Sequence, residues 1–594
     1  MMKNIEIAQI LRELGGYYEM KNEPFKPRAY EKAADSVESL DEQLSQIYRA
    51  GGFKGLLTLA GVGQGIAEHI EELLQTGRLK KYEALKRKMP VNLTELTSIG
   101  GIGAKTAGEL YKKLKVKNLK DLKKAVAGHK LARIKGFGKK TEENIAKALD
   151  VQGTFTKRYL LGYIYPIIEK LRVKLENSGK FTKLMVGGSY RRRQETLGDI
   201  DILAVAKHEK QAIEYFTNLP EAGRVLRRGG LSEIKLFNGI QVDLKIVPES
   251  SWGAAAVYFT GDLAHNIKMR KMAIERGLKL SEYGLTPASP PPHEGEEGRR
   301  SRRGGKSRGI AKFKTEEEVY NSLGMDWIPP ELRTDSGEIE VAQKGKLPKL
   351  IDYGDVRGDL QVQTNWTDGT ASIEEMARAA IELGREYIAI TDHTKTLAMT
   401  GGLDEKKIRE QGKEIDKMNA KFQISNVKFR ILKGAEVNIL KDGTLDIADS
   451  TLAKLDVVGA SVHSHFKLSR EDQTKRIIRA LSNPNVDIFF HPTTRIIQRR
   501  DPIDFDFVQI LKAAKKYRVA LEINAYPDRL DLHDKMIRQA VEAGVKLVIN
   551  TDAHATKHLG FIQFGEAQAR RGWARRGDIL NTLSADALLK YFKK

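Results

Sequence analysis

Cysteine is absent from the 594 residues, which excludes disulfides, thiolate zinc sites and thiol catalysis and leaves any metal to imidazoles and carboxylates. Long apolar runs are missing as well: none approaches the roughly 20 residues that span a bilayer. The opening segment, MMKNIEIAQILRELGGYYEM, sets charges among its apolar residues and has neither a secretory apolar core nor a cleavage pattern. A cytoplasmic protein with no membrane partner is the expectation. Acidic residues are in deficit, 78 Asp and Glu against 101 Lys and Arg, a formal charge of +23. An excess of this size attracts polyanions such as phosphate backbones. At roughly 150 residues per folding unit the length allows about four domains, each able to build its own core.

The first part of the chain reads as short helices, with apolar residues at helical spacing in IAQILREL, IAEHIEELL and LKDLKKAV. Three similar turns punctuate them: LAGVGQGIAEHI at 59–70, IGGIGAKTAGEL at 99–110 and IKGFGKKTEENI at 134–145. Glycines allow a tight turn whose free N–H groups, at the positive end of the following helix, meet an anion. One Gly-x-Gly before a helix is equally ordinary capping. Three copies amid dense lysine favour contact with a nucleic-acid backbone through Gly61, Gly63, Gly65, Gly101, Gly103, Lys105, Gly136, Gly138 and Lys139.

Strand-like runs follow, LMVGGS, DIDILAV, EIKLFN and IQVDLKIV. In GGSYRRRQETLGDIDIL, period-two alternation puts Asp199 and Asp201 on one face with Ile200 in the core, and Asp243 in a second strand is placed to join them. Three converging carboxylates repel one another unless divalent cations sit between them, and oxygen ligands suit Mg²⁺. Two ions roughly 3.5–4 Å apart are the arrangement that clamps both oxygens of a phosphoryl transfer. Gly187, Gly188 and Ser189 offer amides and a hydroxyl to phosphate, and Arg192 offers charge. The stretch 286–309, rich in Pro, Gly and Arg, has too little apolar surface to offset its ordering entropy and reads as a disordered basic insertion.

From about residue 340, apolar strands alternate with amphipathic helices, which indicates a parallel α/β barrel or a doubly wound sheet. Metal-capable residues stand where strands end: Asp392 and His393, Glu436, His463, His491, Asp552 and His554.

GSYRRRQETLGDID, VDLKIV and YFTGDLAHNIKMR together resemble the palm and fingers of family X DNA polymerases, within the nucleotidyltransferase superfamily. The resemblance implies that Asp199, Asp201 and Asp243 hold two metals, Mg²⁺ or Mn²⁺. It implies that Ser189 and Arg192, with Gly188 and Gly198, contact a deoxynucleoside triphosphate. Tyr258, Phe259, Thr260 and Gly261 match the stretch lying against the nucleotide sugar, and Asn266 and Arg270 match positions beside the incoming nucleotide and template. FKPRAYEKAADSVESL and LAGVGQGIAEHIEELL resemble the small domain that grips the downstream side of a gap. Where lyase-active relatives carry a Schiff-base lysine this chain has His69, so lyase activity is not expected, although Arg28 and Lys54 could still bind a 5′-phosphate.

TDH, GAE, SVH, FFHP and TDAH resemble the polymerase and histidinol phosphatase (PHP) domain, a distorted barrel using up to three divalent metals for phosphoester hydrolysis, commonly as a 3′–5′ exonuclease. Mn²⁺ or Zn²⁺ suits such ligands. The resemblance implies one site at Glu436, His463 and His491 and another at Asp368, His393 and His554, with Asp552 available to a third; His465 is given no ligand role. The domain normally opens Asp-x-His-x-His, whereas this chain reads DLQVQTNWTDG, with Gln361 and Gln363 at the histidine positions. A neutral amide is a poor ligand, so one of the three sites should be weakened, leaving exonuclease, abasic-site nuclease and inactive scaffold all open.

The resulting expectation is a multidomain α and α/β protein. It comprises a helical helix-hairpin-helix domain at 1–85 and a second at 86–152, a nucleotidyltransferase palm with mixed sheet at 153–255, a nucleotide-selection domain at 256–335 and a distorted (β/α) PHP barrel at 340–590. Its partners would be gapped or primer-template DNA and dNTPs, and its state a monomer. Two rivals stay open: a metal-dependent DNA nuclease whose palm only binds, and a noncatalytic DNA-end scaffold, against which the intact acidic triad argues.

Overall fold

The computed structural model describes all residues but 1, 3, 39, 41–42, 60, 98–101, 133, 135–137, 139–141, 143–144, 147–157, 237–238, 288–310, 398–399, 425–427 and 594. The chain divides into two compact units, residues 1–157 with 498–500, and the remainder.

In the first unit, Ile7, Leu11, Leu14 and Tyr18 line one stripe of α1 (Asn4–Met20) and are buried. Helix α2 (Lys26–Glu38) crosses it closely enough that a Cβ at Gly15 would stand 3.0 Å from the Pro27 carbonyl oxygen. Helix α3 (Gln64–Thr76) follows the first glycine turn, α4 (Ala104–Leu114) the second, and α5 (Leu119–Ala127) comes after it. One apolar cluster runs from Ile7 to Ile145, across both helical stretches, 1–85 and 86–152. A Cβ at Gly16 would lie 3.1 Å from Leu93, and one at Gly108 would lie 3.2 Å from Met20, so α1 packs directly on the second helical half.

The second unit begins with a short antiparallel pair, β1 (Tyr159–Leu160) and β3 (Thr196–Leu197), around α6 (Leu161–Glu176). The palm sheet runs in the order β2 (Lys183–Val186), β4 (Asp199–Val205), β7 (Gln241–Ile246), β6 (Leu231–Leu236), β5 (Ala222–Arg227). It is mixed: β4 and β7 are parallel and the other pairings antiparallel. Helices α7 (Trp252–Thr260) and α8 (Leu263–Glu275) follow, then the hairpin β8 (Leu278–Ser281) and β9 (Gly284–Pro287). Thr286 and Pro287, grouped by composition with the basic insertion, are therefore the end of a paired strand; 288–309 lie outside the described residues.

Seven parallel strands, β10 (Gly358–Val362), β11 (Tyr387–Ile390), β12 (Arg430–Asn438), β13 (Val457–Ser461), β14 (Ile488–Phe489), β15 (Ala520–Asn524) and β16 (Leu547–Asn550), neighbour one another in chain order. Val362 bridges to Ala553 just beyond β16, and the Gln363 amide donates to the Ala553 carbonyl at 2.8 Å, so the two edges meet. A doubly wound sheet would leave its edges apart; this is a nearly closed barrel. Helix α9 (Ile562–Arg571) packs near β15 and β16. Among the described residues no helix is long and apolar enough to cross a membrane.

Candidate functional site

Ile200 is fully buried while Asp199 and Asp201 stand half-buried on the opposite face, and the parallel register sets Asp201 opposite Asp243. The strand pairing thus brings together the three acids that the sequence nominates. Gly188 adopts φ +56°, and a Cβ there would come within 2.1 Å of Asp201 Oδ2, so glycine alone lets the turn sit on the carboxylate. Burial, then Asp199, then Asp243 push the Asp201 carboxyl up to about 7. Burial also raises Asp243, against a hydrogen bond from Gln241 Nε2 at 2.9 Å. A partly dehydrated acid repelled by two others is a donor set that a divalent cation satisfies.

A cavity of about 330 Å³ opens on this edge. Gly188, Ser189, Arg192, Gly198, Asp199, Asp201, Tyr258, Phe259, Gly261 and Asn266 line it, as does Thr260; Asp243 and Arg270 do not. Asp243 adjoins it through Asp201, and Arg270 lies one helical turn back, its Nε donating to the Asn266 carbonyl at 3.3 Å. Arg192 Nη1 donates to the carbonyls of Thr260 (2.5 Å) and Gly261 (3.0 Å), holding the end of α7 against the glycine turn. Asn266 Nδ2 donates to the Tyr258 carbonyl at 2.8 Å. Arg158, Asp262 and Leu263 also line the cavity and escaped sequence reasoning. A lone Arg at a segment start has no motif around it; the Asp262 side chain caps α8, accepting from the His265 amide at 2.8 Å.

The barrel's strand ends assemble a second centre. His393 stands at its middle, Nδ1 3.4 Å from Glu436 Oε2 and Nε2 3.7 Å from Asp368 Oδ1. His554 Nε2 lies 3.6 Å from the same Asp368 oxygen, and His463 Nε2 3.1 Å from Glu436 Oε1. Two groups have donor atoms close enough to share an ion: Asp368, His393 and His554, and His393, Glu436 and His463. The first is the set the sequence implies. The second shares Glu436 and His463 with the other set that the resemblance implies, and His491 Nε2 approaches the same Glu436 Oε1 at 2.8 Å, its Nδ1 unpartnered. Supporting contacts orient the rings: His463 Nδ1 to Asn438 Oδ1 at 2.7 Å, and His554 Nδ1 to the Asp552 carbonyl at 2.7 Å. Burial raises the Glu436 carboxyl, but His393, His463 and His491 overturn this and hold it well below its ordinary range.

Gln361 and Gln363 are fully buried in this centre. Gln363 Nε2 donates to Glu436 Oε2 at 2.8 Å, and Gln361 Oε1 accepts from Asn524 Nδ2 at 3.3 Å. Asp552, apart from both groups, accepts from Asn524 Nδ2 at 3.2 Å and has Arg529 Nε at 3.5 Å. Around a third position the amides of Gln361, Gln363 and Asn524 and the Arg529 guanidinium stand among the carboxylates of Asp552, Glu522 and Glu436, so the set offers an ion fewer free donors than two histidines would. Glu522 is a further buried acid that sequence reasoning missed, pushed well above its usual range by burial and Asp552. Its neighbours in VALEIN are apolar and gave no signal.

In the helical unit, Gly63 and Gly103 are the N-caps of α3 and α4, and Gly61 takes φ +73°. A Cβ at Gly63, Gly65, Gly103 or Gly138 would meet nothing within 4 Å, so these turns are open to an approaching backbone. Lys105 is exposed in the first turn of α4; Gly101, Gly136 and Lys139 lie outside the described residues. His69 Nδ1 is 2.8 Å from the Tyr30 hydroxyl.

Comparison with known proteins bears on both centres. The family model of the DNA polymerase beta thumb matches residues 255–334, that of a helix-hairpin-helix domain 2–79, that of a SAM-like helix-hairpin-helix tandem 93–150, and that of the PHP domain 359–526. The DNA polymerase/3′-5′ exonuclease PolX of Bacillus subtilis is 37% identical over 597 aligned positions, covering the whole of both chains. The chain belongs to the PHP-bearing family X DNA polymerases. DNA polymerase lambda of Arabidopsis thaliana is 25% identical over 56% of this chain and 62% of its own, and a protein named "Probable phosphatase" from Thermoanaerobacter is 33% identical over 33% of this chain and 77% of its own. Families of this kind are metal-dependent, and their helix-hairpin-helix and thumb domains imply DNA binding.

Proposed function

We propose that this chain is a template-dependent DNA polymerase that fills short gaps, extending a primer 3′ end at the palm, with a PHP phosphoesterase centre at its C-terminal barrel. The pairing of Asp201 with Asp243, beside Asp199 and under the Gly187–Gly188 turn, carries the reading. Asp199, Asp201 and Asp243 would hold Mg²⁺ or Mn²⁺. Such ions supply a lowered pKa to the primer hydroxyl and charge stabilisation to the pentavalent phosphate. Gly188 and Ser189 present turn amides and a hydroxyl to the triphosphate. Arg192 reaches it by exchanging its carbonyl partners on Thr260 and Gly261 for phosphate oxygens, so nucleotide entry is tied to movement of the end of α7. Tyr258, Phe259 and Gly261 lie where the sugar would rest, and Asn266 and Arg270 stand beside the base pair. The glycine turns with Lys105 hold DNA backbone without reading sequence. The protein works in the cytoplasm as a monomer.

At the barrel, Asp368, His393, Glu436, His463 and His554, with His491 behind them, would hold Mn²⁺ or Zn²⁺ for 3′–5′ exonucleolytic or abasic-site cleavage by a chain with two metal positions. Full-length protein with gapped DNA, dNTPs and Mg²⁺ or Mn²⁺ should extend the primer by template. Asp199→Ala plus Asp201→Ala should abolish extension while sparing any nuclease, and His463→Ala the reverse. No extension by the unmodified chain would leave the nuclease reading, which the two clustered metal groups favour.

A further inference from the structure

The segment between Arg192 and Asp199 joins the candidate phosphate-binding and metal-binding groups of the palm, which holds its backbone through Leu197, buried in the palm core, and through the Leu161 and Gln194 amides, donating to the Glu195 carbonyl at 2.9 Å and the Ser189 carbonyl at 3.0 Å. Its only regular structure is β3, two residues paired with the two of β1, and a pairing that short has little stability alone. Arg158 adds hydrogen bonds to Thr196, from Nε to Oγ1 at 2.9 Å and from Nη2 to the carbonyl at 2.6 Å, from that same edge.

The barrel supplies the partners of the Glu195 side chain. Glu195 accepts from Arg495 Nη2 at 2.6 Å and Nη1 at 3.3 Å, and from Gln568 Nε2 at 2.8 Å. The ion pair is largely shielded, the side chains 11% and 15% exposed. Arg571, paired with Asp534, donates to the Arg193 carbonyl at 3.2 Å. Arg193 is held at φ +52°, a conformation that a non-glycine residue keeps only when its surroundings over-determine it. Its guanidinium stacks over Tyr165 at 5.0 Å and Tyr190 at 5.3 Å. The two surfaces leave no slack: a Cβ at Gly162 of α6 would stand 2.4 Å from Pro527 and 3.2 Å from Phe564.

We propose that the PHP barrel positions the polymerase metal-binding edge, with Glu195 as the latch and Arg495 and Gln568 as positioning residues for nucleotidyl transfer at Asp199. The inference rests on the polymerase reading above. Asp199 is four residues from Glu195, joined to it through β3, and a shift of about 1 Å at a reacting centre costs on the order of 100-fold in rate. The barrel is therefore part of the polymerase as well as a site of its own. One positioning residue stands close to the barrel centre: Arg495 is four residues past His491, and its Nη2 also donates to the Leu530 carbonyl beside Arg529.

The test is single-nucleotide incorporation on gapped DNA by the full chain as Glu195→Gln, Arg495→Ala, Arg495→Lys and Gln568→Ala. Glu195→Gln and Arg495→Ala should lower kcat about tenfold and raise the Mg²⁺ concentration for half-maximal rate severalfold, with gapped-DNA Kd unchanged. Arg495→Lys, which keeps the charge, should recover most of the rate, and Gln568→Ala, the mildest change, should lose two- to threefold. Manganese bound by the barrel should stay at its unmodified content in Glu195→Gln, which changes no barrel residue. Wild-type kcat and Mg²⁺ dependence in Glu195→Gln and Arg495→Ala would overturn the proposal. So would a rate loss that tracks a lowered melting midpoint and is not recovered by lysine, because that describes a merely structural contact. Failure of the unmodified chain to extend at all would overturn the polymerase reading itself, a result told apart by that control alone.

Discussion

The palm and the barrel both gather acids at the ends of parallel strands, but they settle the charge in opposite ways. In the palm, Asp199, Asp201 and Asp243 face one another with a single amide among them, and burial and the two neighbouring acids drive Asp201 up to about 7 against the pull of Arg192. In the barrel, Glu436 and Asp552 are more deeply buried yet held low, because imidazoles, an amide and the Arg529 guanidinium stand around them. A cluster of like charges left unrelieved calls for cations; a cluster already furnished with internal donors takes fewer. Counting acids does not distinguish the two, whereas asking what each one touches does.

The sharpest break of that comparison is His393→Ala. This ring belongs to both barrel metal groups, so its loss should remove most bound Mn²⁺ or Zn²⁺, read by elemental analysis, and lower phosphoester hydrolysis at least 100-fold. Primer extension should be untouched, since the palm acids lie on another sheet. Loss of a single ion with half the hydrolysis retained would show that the two groups do not share the ring. A second change reverses the difference between the regions: Gln361→His plus Gln363→His replaces two amides by imidazoles beside Glu436, and should add one Mn²⁺ per chain with affinity at least tenfold above that of the unmodified protein. An unchanged ion count in anomalous scattering would mean that Arg529 keeps the third position closed.

Much of this was legible beforehand, where chemistry follows from local periodicity. Alternation in DIDIL set two acids on one face, and strand-helix alternation put His and Asp at the barrel's active end. Gly188 was nominated as a turn, and the close approach to Asp201 accounts for it. What was not legible depends on which strands and helices become neighbours. Gly16 and Gly108 look like ordinary helix residues until α1 packs on α4 and the two helical stretches share one core. His393 faces two groups only because β11 and β12 run side by side, bringing it against Glu436. Glu522, Arg529 and Arg158 sit in apolar or featureless stretches and acquire meaning from partners far along the chain.

The raised Asp201 carboxyl gives the palm a pH dependence near neutrality. Below pH 7 Asp201 is protonated and must release that proton to take a cation, so apparent Mg²⁺ affinity should fall up to tenfold per pH unit below 7 and level off above it. The folded value is raised, so this group's contribution to stability is greatest below its ordinary pKa of 3.8 and is lost as pH rises toward 7. In metal-free protein Asp201→Asn should therefore raise the melting midpoint, more at pH 8 than at pH 5.5. A pH-independent Mg²⁺ titration would contradict the burial and repulsion that raise the carboxyl.

The smallest effect belongs to a third, cationic region. Lys105 is exposed in the first turn of α4, one residue into a helix whose N-cap is Gly103 and whose turn is open to solvent. It adds charge to a backbone contact made mainly by amides, so Lys105→Ala should weaken gapped-DNA binding a fewfold, equally for every sequence, and reduce the slope of log affinity against log salt by about 1. The acids of the palm and barrel act within ångströms and are insensitive to bulk salt, whereas this lysine works across a solvent-filled interface where mobile ions compete. A loss confined to particular sequences would mean that the turn reads bases, and a salt slope left intact would mean that Lys105 touches no phosphate.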